Sequence, residues 1–163
     1  MTLGRDRIVL ALDLGATTGY AYTATGEIDL ERVGHWDLRH QRHGREPLLR
    51  ASDAGETLAK LPHRLEEIRP DTVIYEIARG RRGISAAQNY GARLGSVFLW
   101  TYERRAEVVG IHSATLKLYA TGYGAASKDQ MMDAARMRLG WNGELDDEAD
   151  ALWLLHAYLA GVK

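Results

Sequence analysis

Four acidic residues occupy positions from which their carboxylates could act together. Asp13 and Glu76 each follow a run of β-branched and aliphatic residues, which is the pattern of a buried strand. In open α/β sheets the carboxyl ends of the strands form the edge where ligands bind. Asp147 and Asp150 are three residues apart in a helical segment that continues as apolar residues, so they share one helix face. We therefore predict that two strand ends and one helix bring four carboxylates to a single site.

The chemistry of these carboxylates indicates a metal site. A buried carboxylate is costly unless it pairs with a base or holds a cation, and no base lies within two residues of Asp13. Oxygen ligands favour hard cations such as Mg²⁺ or Mn²⁺, and the six histidines show no zinc-binding spacing. Two such ions, roughly 3.5–4 Å apart, clamp the attacking and leaving oxygens of a phosphodiester. The residues thus indicate metal-dependent phosphodiester hydrolysis.

Each acid also has a structural interpretation. Glu76 could end its strand in an ion pair with Arg79, and for Glu76 alone this is as well supported as a functional role. Asp146 and Asp147 suit a helix start, as a cap and a first-turn acid facing the helix dipole. That alternative is strong for Asp146 and weak for Asp150, which lies a full turn inside the helix. Whether Asp146 takes the place of Asp147 in the site stays open from the sequence.

The first half of the chain predicts an antiparallel meander of three strands joined by short turns. Apolar runs at 8–12 and 19–23 predict the first two strands. The third strand has rough alternation, carried by Ile28, Leu30, Val33 and Trp36. Residues 39–47 are polar and basic and predict a loop, and helical spacing over 48–68, interrupted near Pro62, predicts the first helix.

Helices and strands alternate in the second half. The pattern predicts strands at 72–75 and 107–111 and helices at 85–105, 113–120, 127–139 and 146–159. A meander followed by this alternation is typical of an α/β fold with a mixed sheet flanked by helices. The 163 residues contain no internal repeat and no low-complexity tract, so we predict one domain over 1–163.

The charges are unevenly distributed along the chain. The net charge of −1 by itself argues against a polyanionic partner. Residues 79–128, however, hold eight bases and two acids, whereas residues 129–163 hold seven acids and three bases. Ordinary solvated helix faces are one explanation. The other is a basic surface beside a carboxylate cluster, as an enzyme that cuts a polyanion with metal ions requires.

The composition excludes other classes of protein. We expect no membrane span and no secretory signal, because every stretch of 18 residues carries charge and residues 1–7 precede no long apolar run. The absence of cysteine excludes disulfides and thiolate metal sites and suits a reducing compartment. We therefore expect a cytoplasmic protein, in a bacterium or in an infected cell.

Four segments, taken in order, resemble the RuvC-type Holliday junction resolvases of the RNase H-like superfamily. The segments are ALDLGATTGYA (11–21), VIYE (73–76), SKDQ (127–130) and DEADAL (147–152). The resemblance covers nearly the whole chain. It implies an RNase H-like fold whose five-stranded mixed sheet has the order 3-2-1-4-5. It also implies a homodimer that makes paired nicks in a four-way DNA junction with two Mg²⁺ or Mn²⁺ ions per active site.

The resemblance also implies roles for individual residues. The family's catalytic and metal-binding acids fall on Asp13, Glu76, Asp147 and Asp150. Lys117 and Lys128 fall on basic residues that the family uses near the scissile phosphate and the junction backbone, and Lys128 is the candidate for a catalytic role. The helix at 85–105 would build the dimer interface. Packing within one subunit is the alternative for that helix.

The loop after Glu76 departs from the family pattern. It corresponds to the segment that approaches the junction centre, and we expect it to bind DNA through Arg79, Arg81 and Arg82. Bacterial relatives carry an aromatic residue three positions after the catalytic glutamate, where this chain has Arg79. Arginine can stack on a base or bind a phosphate, so DNA binding is compatible with the change. The change from an aromatic residue to Arg79 bears on how the junction centre is recognised and on which DNA sequence is preferred for cleavage.

Three other functions compete with junction resolution. The segment at 13–19 also resembles the first phosphate loop of sugar kinases and actin-like ATPases, but those proteins need two such domains and 163 residues are too few. A catalytically silent nucleic-acid-binding module is disfavoured because all four acids are present. A phage or prophage relative that cuts branched DNA or flaps more broadly stays open.

Overall fold

The computed structural model describes residues 7–39, 51–77 and 83–162. Within these ranges the chain forms five strands, five α-helices and one turn of 3-10 helix. In chain order they are β1 (Val9–Asp13), β2 (Thr17–Thr23), the 3-10 turn (Leu30–Arg32), β3 (Val33–Asp37), α1 (Ala51–Ile68), β4 (Thr72–Ile77), α2 (Ile84–Arg104), β5 (Glu107–His112), α3 (Ser113–Thr121), α4 (Lys128–Leu139) and α5 (Asp146–Leu159).

The strands form one mixed sheet in the order β3-β2-β1-β4-β5. The first three are antiparallel neighbours, and β4 and β5 are each parallel to the strand before them in the sheet. This arrangement confirms the predicted α/β fold, with its meander followed by parallel strands. None of the helices in the part of the chain that the structure describes is long and apolar enough to cross a membrane.

Each face of the sheet carries its own hydrophobic core because side chains alternate along β1. Leu10 and Leu12 point to the side covered by α1 and α2, where Leu61 and Val97 are fully buried. Residues 9 and 11 point to the other side, covered by α3, α4 and α5. The face that a strand residue occupies therefore decides which helices it meets.

The predicted third strand is too long. Ile28 and Leu30 lie outside β3, because Asp29 accepts a hydrogen bond from the Glu31 backbone N–H and starts the 3-10 turn. Asx residues make such local hydrogen bonds in competition with strand pairing. The strand therefore begins only at Val33.

The predicted interruption of the first helix at Pro62 is also wrong. Pro62 lies inside α1, which continues to Ile68. An internal proline costs a helix about 3 kcal/mol. Burial of Leu61 and Leu65 against the sheet offsets this cost, since each buried leucine contributes about 1.5–3 kcal/mol. The predicted helix start at 48 and most of the predicted loop at 39–47 lie outside the described residues.

Candidate active site

Asp13 and Glu76 lie side by side at the carboxyl ends of two parallel strands. Leu12 is opposite Tyr75 in the β1–β4 register, so Asp13 and Glu76 are the next residues at the same level. Because Asp13 continues the face of residues 9 and 11, its side chain points toward α5. The Tyr90 hydroxyl of α2 donates a 2.6 Å hydrogen bond to the backbone carbonyl of Glu76 and fixes the end of β4.

The first turn of α5 lies directly on β2, beside Asp13. Gly19 is the β2 partner of Asp13 in the sheet. A Cβ atom at Gly19 would lie only 1.8 Å from the carbonyl oxygen of Asp147 and 2.9 Å from the backbone nitrogen of Glu148. Glycine at this position therefore permits α5 to approach the sheet and brings Asp147 next to Asp13.

The carboxylates are close enough to change one another's ionisation. Burial first, and then the charges of Asp150, Glu76 and Asp147, raise the pKa of Asp13 well above its ordinary value. Burial, followed by Glu76 and Asp146, raises the pKa of Asp150 to about 7. The structure thus brings together the four acids that the sequence singled out.

Asp147 is the least buried member of the group whose pKa is shifted. Burial and the charge of Asp146 raise its pKa, partly offset by a hydrogen bond with the Asp13 carboxyl and by the charge of Lys128. The same interaction with Asp147 contributes to the raised pKa of Asp13. Four neighbouring carboxylates that repel one another are a donor set that suits a hard divalent cation, whose charge would relieve the repulsion. Among the described residues, no three His, Asp or Glu side chains lie close enough together to hold a metal ion.

Lys128 is a base close to the acids. Its ammonium group binds the Asp146 carboxylate, and this hydrogen bond raises the pKa of Lys128. Its charge also reaches Asp147 and Asp150. Asp146 is not the helix cap, because the capping position is Leu145 and Asp146 lies in the first turn. Its carboxylate therefore holds Lys128, and Asp147 is the acid that meets Asp13.

Of the other predicted DNA-binding residues, the structure describes Lys117. Lys117 lies half-buried on α3, and its backbone carbonyl accepts a hydrogen bond from Thr121. Arg79, Arg81 and Arg82, and with them the predicted Glu76–Arg79 pair, lie outside the described residues. Their DNA-binding role stays a prediction.

Three residues at the site were missed from the sequence. The sequence places Gly19 at the start of the second strand and gives no sign that it is the contact point of α5. His35 of β3 and Glu148 of α5 meet with 2.8 Å between Nδ1 and Oε1. They are 113 residues apart, and no spacing rule connects an edge strand with the last helix.

Known proteins are similar to this chain both in sequence and in fold. No family model matches the chain. Crossover junction endodeoxyribonuclease RuvC of Xanthomonas oryzae pv. oryzae is 31% identical over 144 residues, which cover 85% of this chain and 82% of that protein. Thermus thermophilus RuvC in complex with Holliday junction substrate has the same fold, with a TM-score of 0.66 and 24% identity over 94% of each chain. Fowlpox virus resolvase, solved with substrate Holliday junction DNA, has a TM-score of 0.61 and 16% identity over 94% of this chain and 97% of that one.

The sequence match covers more than four fifths of each chain. The solved resolvases have the same fold as this chain. The chain therefore belongs to the RuvC family of crossover junction endodeoxyribonucleases.

Proposed function

We propose that the chain is a divalent-metal-dependent endonuclease that resolves four-way DNA junctions by paired nicks, with residues 1–163 acting as one nuclease domain. The observation that carries this proposal is the half-buried Asp13 carboxylate beside three other acids, because a proton or a cation stabilises such a group of mutually repelling charges. Membership in the RuvC family supports DNA junctions as the substrate.

Asp13, Glu76, Asp147 and Asp150 would hold two Mg²⁺ or Mn²⁺ ions. When bound, such a pair activates the attacking water and stabilises the leaving oxygen of the phosphodiester. The protein contributes the orientation of the acids, which two strand ends and a buried helix fix. It also limits access of water to Asp13 and Asp150, both of which are half-buried.

Lys128 would offset negative charge on the phosphate in the transition state. Its side chain is 74% exposed, so the ammonium group can turn from Asp146 toward a bound DNA strand. A cation beside the phosphate stabilises the negative charge that develops on it in the transition state. Lys117 and the arginines at 79, 81 and 82 would bind the phosphate backbone around the junction.

The proposed active form is a homodimer joined through α2. Large apolar side chains on this helix are unusually exposed, with Phe98 at 40%, Leu99 at 60% and Tyr102 at 83%. Contiguous exposed apolar residues are typical of a surface that a partner covers. A second copy of the chain would cover them and set two active sites in a symmetric arrangement, as paired nicks require.

A broader branched-DNA or flap nuclease is the second candidate. Arg79 favours it, because the residue stands where the bacterial relatives carry an aromatic side chain. The two candidates are separated by cleavage of a four-way junction, a three-way junction, a flap and a linear duplex in Mg²⁺, with the products mapped. Symmetric nicks restricted to the four-way junction support resolution. Comparable cutting of the flap and the three-way junction supports the broader activity, and an intact four-way junction overturns the proposal.

A further inference from the structure

The first turn of α5 carries three of the acids at the site. Asp146, Asp147 and Glu148 follow one another there, and Asp147 faces Asp13. The residue before the helix is Leu145, whose side chain has no oxygen atom that could accept hydrogen bonds from the first backbone N–H groups. The place of this turn therefore depends on contacts made by its side chains.

Glu148 makes such a contact with the edge of the sheet. Its Oε1 atom lies 2.8 Å from Nδ1 of His35, so the imidazole N–H donates to the carboxylate. The Glu148 side chain is only 16% exposed, whereas that of His35 is 43% exposed. A hydrogen bond to a charged and largely buried acceptor contributes more than one at the surface.

His35 is placed for this role by strand pairing. It is opposite Gly19 in the β2–β3 register, and Gly19 is the residue on which the Asp147 backbone rests. The His35 imidazole therefore contacts α5 from β3, which lies on the opposite side of β2 from β1. His35 also interacts electrostatically with Asp147 itself.

The second carboxylate oxygen of Glu148 is enclosed by the segment before α5. A Cβ atom at Gly143 would lie 2.7 Å from Oε2 of Glu148 and 2.6 Å from the Trp141 ring. Trp141 is itself buried in the core. Glu148 is thus held between the β3 edge and the 141–143 segment, with little freedom to move.

We propose that His35, acting through Glu148, is a positioning residue that holds the first turn of α5 against the sheet and thereby sets the affinity of the acidic site for divalent cations. The inference rests on the proposed metal site, since it concerns how Asp147 is kept beside Asp13. Residues that are not ligands themselves but orient the metal ligands typically change metal affinity by about 10–100-fold when they are removed. His35 acts one residue further away, so we expect the lower end of this range.

The test is Mn²⁺ binding to the DNA-free protein, measured by calorimetry. His35→Ala should bind Mn²⁺ about tenfold more weakly than the wild type. His35→Asn keeps an N–H donor close to the position of Nδ1 and should restore most of the affinity. His63→Ala is the matched control, because His63 is 77% exposed on α1 and pairs with Glu67 on the same helix. It should bind Mn²⁺ like the wild type.

A double-mutant cycle identifies Glu148 as the intermediary. If His35 acts through Glu148, the combination of His35→Ala and Glu148→Ala weakens Mn²⁺ binding no more than Glu148→Ala alone. Wild-type Mn²⁺ affinity in His35→Ala, or additive losses in the double variant, overturns the proposal. If His35→Ala does not fold, Mn²⁺ binding is compared between His35→Asn and Glu148→Ala. Wild-type Mn²⁺ affinity in both of these variants contradicts the inference.

Failure of this inference is distinguishable from failure of the proposed function. Asp13→Asn in the same calorimetric experiment shows whether Mn²⁺ binds at the acidic site. A wild type that binds Mn²⁺ at Asp13 and cuts no branched DNA contradicts the nuclease proposal, while the His35 comparison is still decided by affinity.

Discussion

Gly19 of β2 lies directly beneath Asp147 of α5, so close that a Cβ atom would come within 1.8 Å of the Asp147 carbonyl oxygen. The atom in the way belongs to the backbone and cannot turn aside as a side chain would. The catalytic geometry we propose thus depends on the absence of a side chain at one strand position.

Gly19→Ala should displace the first turn of α5 and separate Asp147 from Asp13. Overpacking of this kind typically costs about 1–3 kcal/mol of folding free energy. A misplacement of about 1 Å in an active site can cost about a hundredfold in rate. Urea unfolding and the rate of junction nicking measure the two effects.

Gly55→Ala is the matched control for this substitution. Gly55 lies in α1, and apart from its chain neighbours and the backbone of its own helix no described atom lies within 4 Å of the place that its Cβ would take. The alanine should leave nicking unchanged and favour the helix slightly. Wild-type nicking by Gly19→Ala would show that the close approach of α5 is not needed.

Asp146 and Asp147 should differ in their effect on cleavage, although they are neighbours. Asp147 meets Asp13, whereas Asp146 holds the Lys128 ammonium group. Asp147→Asn removes a proposed metal ligand and should lower the nicking rate at least about a hundredfold. Asp146→Asn frees Lys128 and should change the rate only about fivefold or less, since surface ion pairs contribute up to about 1 kcal/mol. Equal losses in the two variants would mean that Asp146 is the partner of Asp150.

The spacing of the acids could be predicted from the sequence because it follows from local periodicity. Asp13 ends a run of apolar residues, and Asp147 and Asp150 are one turn apart, so a strand end and a helix face follow directly. The same rule located Glu76, which lies one residue before the end of β4. Sheet order came from the family resemblance rather than from the residues alone.

The contacts between distant segments could not be predicted in this way. The approach of Gly19 to Asp147 and the hydrogen bond from His35 to Glu148 depend on how α5 docks on the sheet. No local pattern encodes that docking. Pro62 illustrates the opposite error, since a local rule predicted a break that burial of the neighbouring leucine overcomes.

A charge on the exposed face of α2 should prevent dimerisation. Leu99 is 60% exposed on this helix, and an aspartate there would be costly to bury against a second copy. Leu99→Asp should sediment as a monomer and should lose the pairing of nicks. Leu118→Asp is the control, since Leu118 is similarly exposed, at 57%, but lies on α3 on the other side of the sheet. A Leu99→Asp variant that remains a dimer would place the interface elsewhere.

Stability should fall at acidic pH through His156 of α5. Burial and the Arg138 guanidinium lower the pKa of His156, and the Tyr119 hydroxyl lies 2.7 Å from its Nδ1 atom. The unfolded chain gains this proton at a pH of about 6.5, before the folded protein does. The contribution of His156 is therefore complete above about pH 6.5 and is lost as the pH falls through and below that value.

Urea unfolding on either side of about pH 6.5 measures this effect. The replacement His156→Gln should reduce the loss of stability on acidification, whereas His63→Gln, at an exposed site, should leave it unchanged. An identical pH dependence in the wild type and His156→Gln would show that this histidine is not responsible.

Nicking of an end-labelled four-way junction by the wild type and by Asp13→Asn in Mg²⁺ tests the proposed function most directly. We expect the wild type to make two symmetric nicks, and Asp13→Asn to bind the junction but nick it at least about a hundredfold more slowly. Nicking by Asp13→Asn at the wild-type rate would contradict the assignment of the four acids as the metal site.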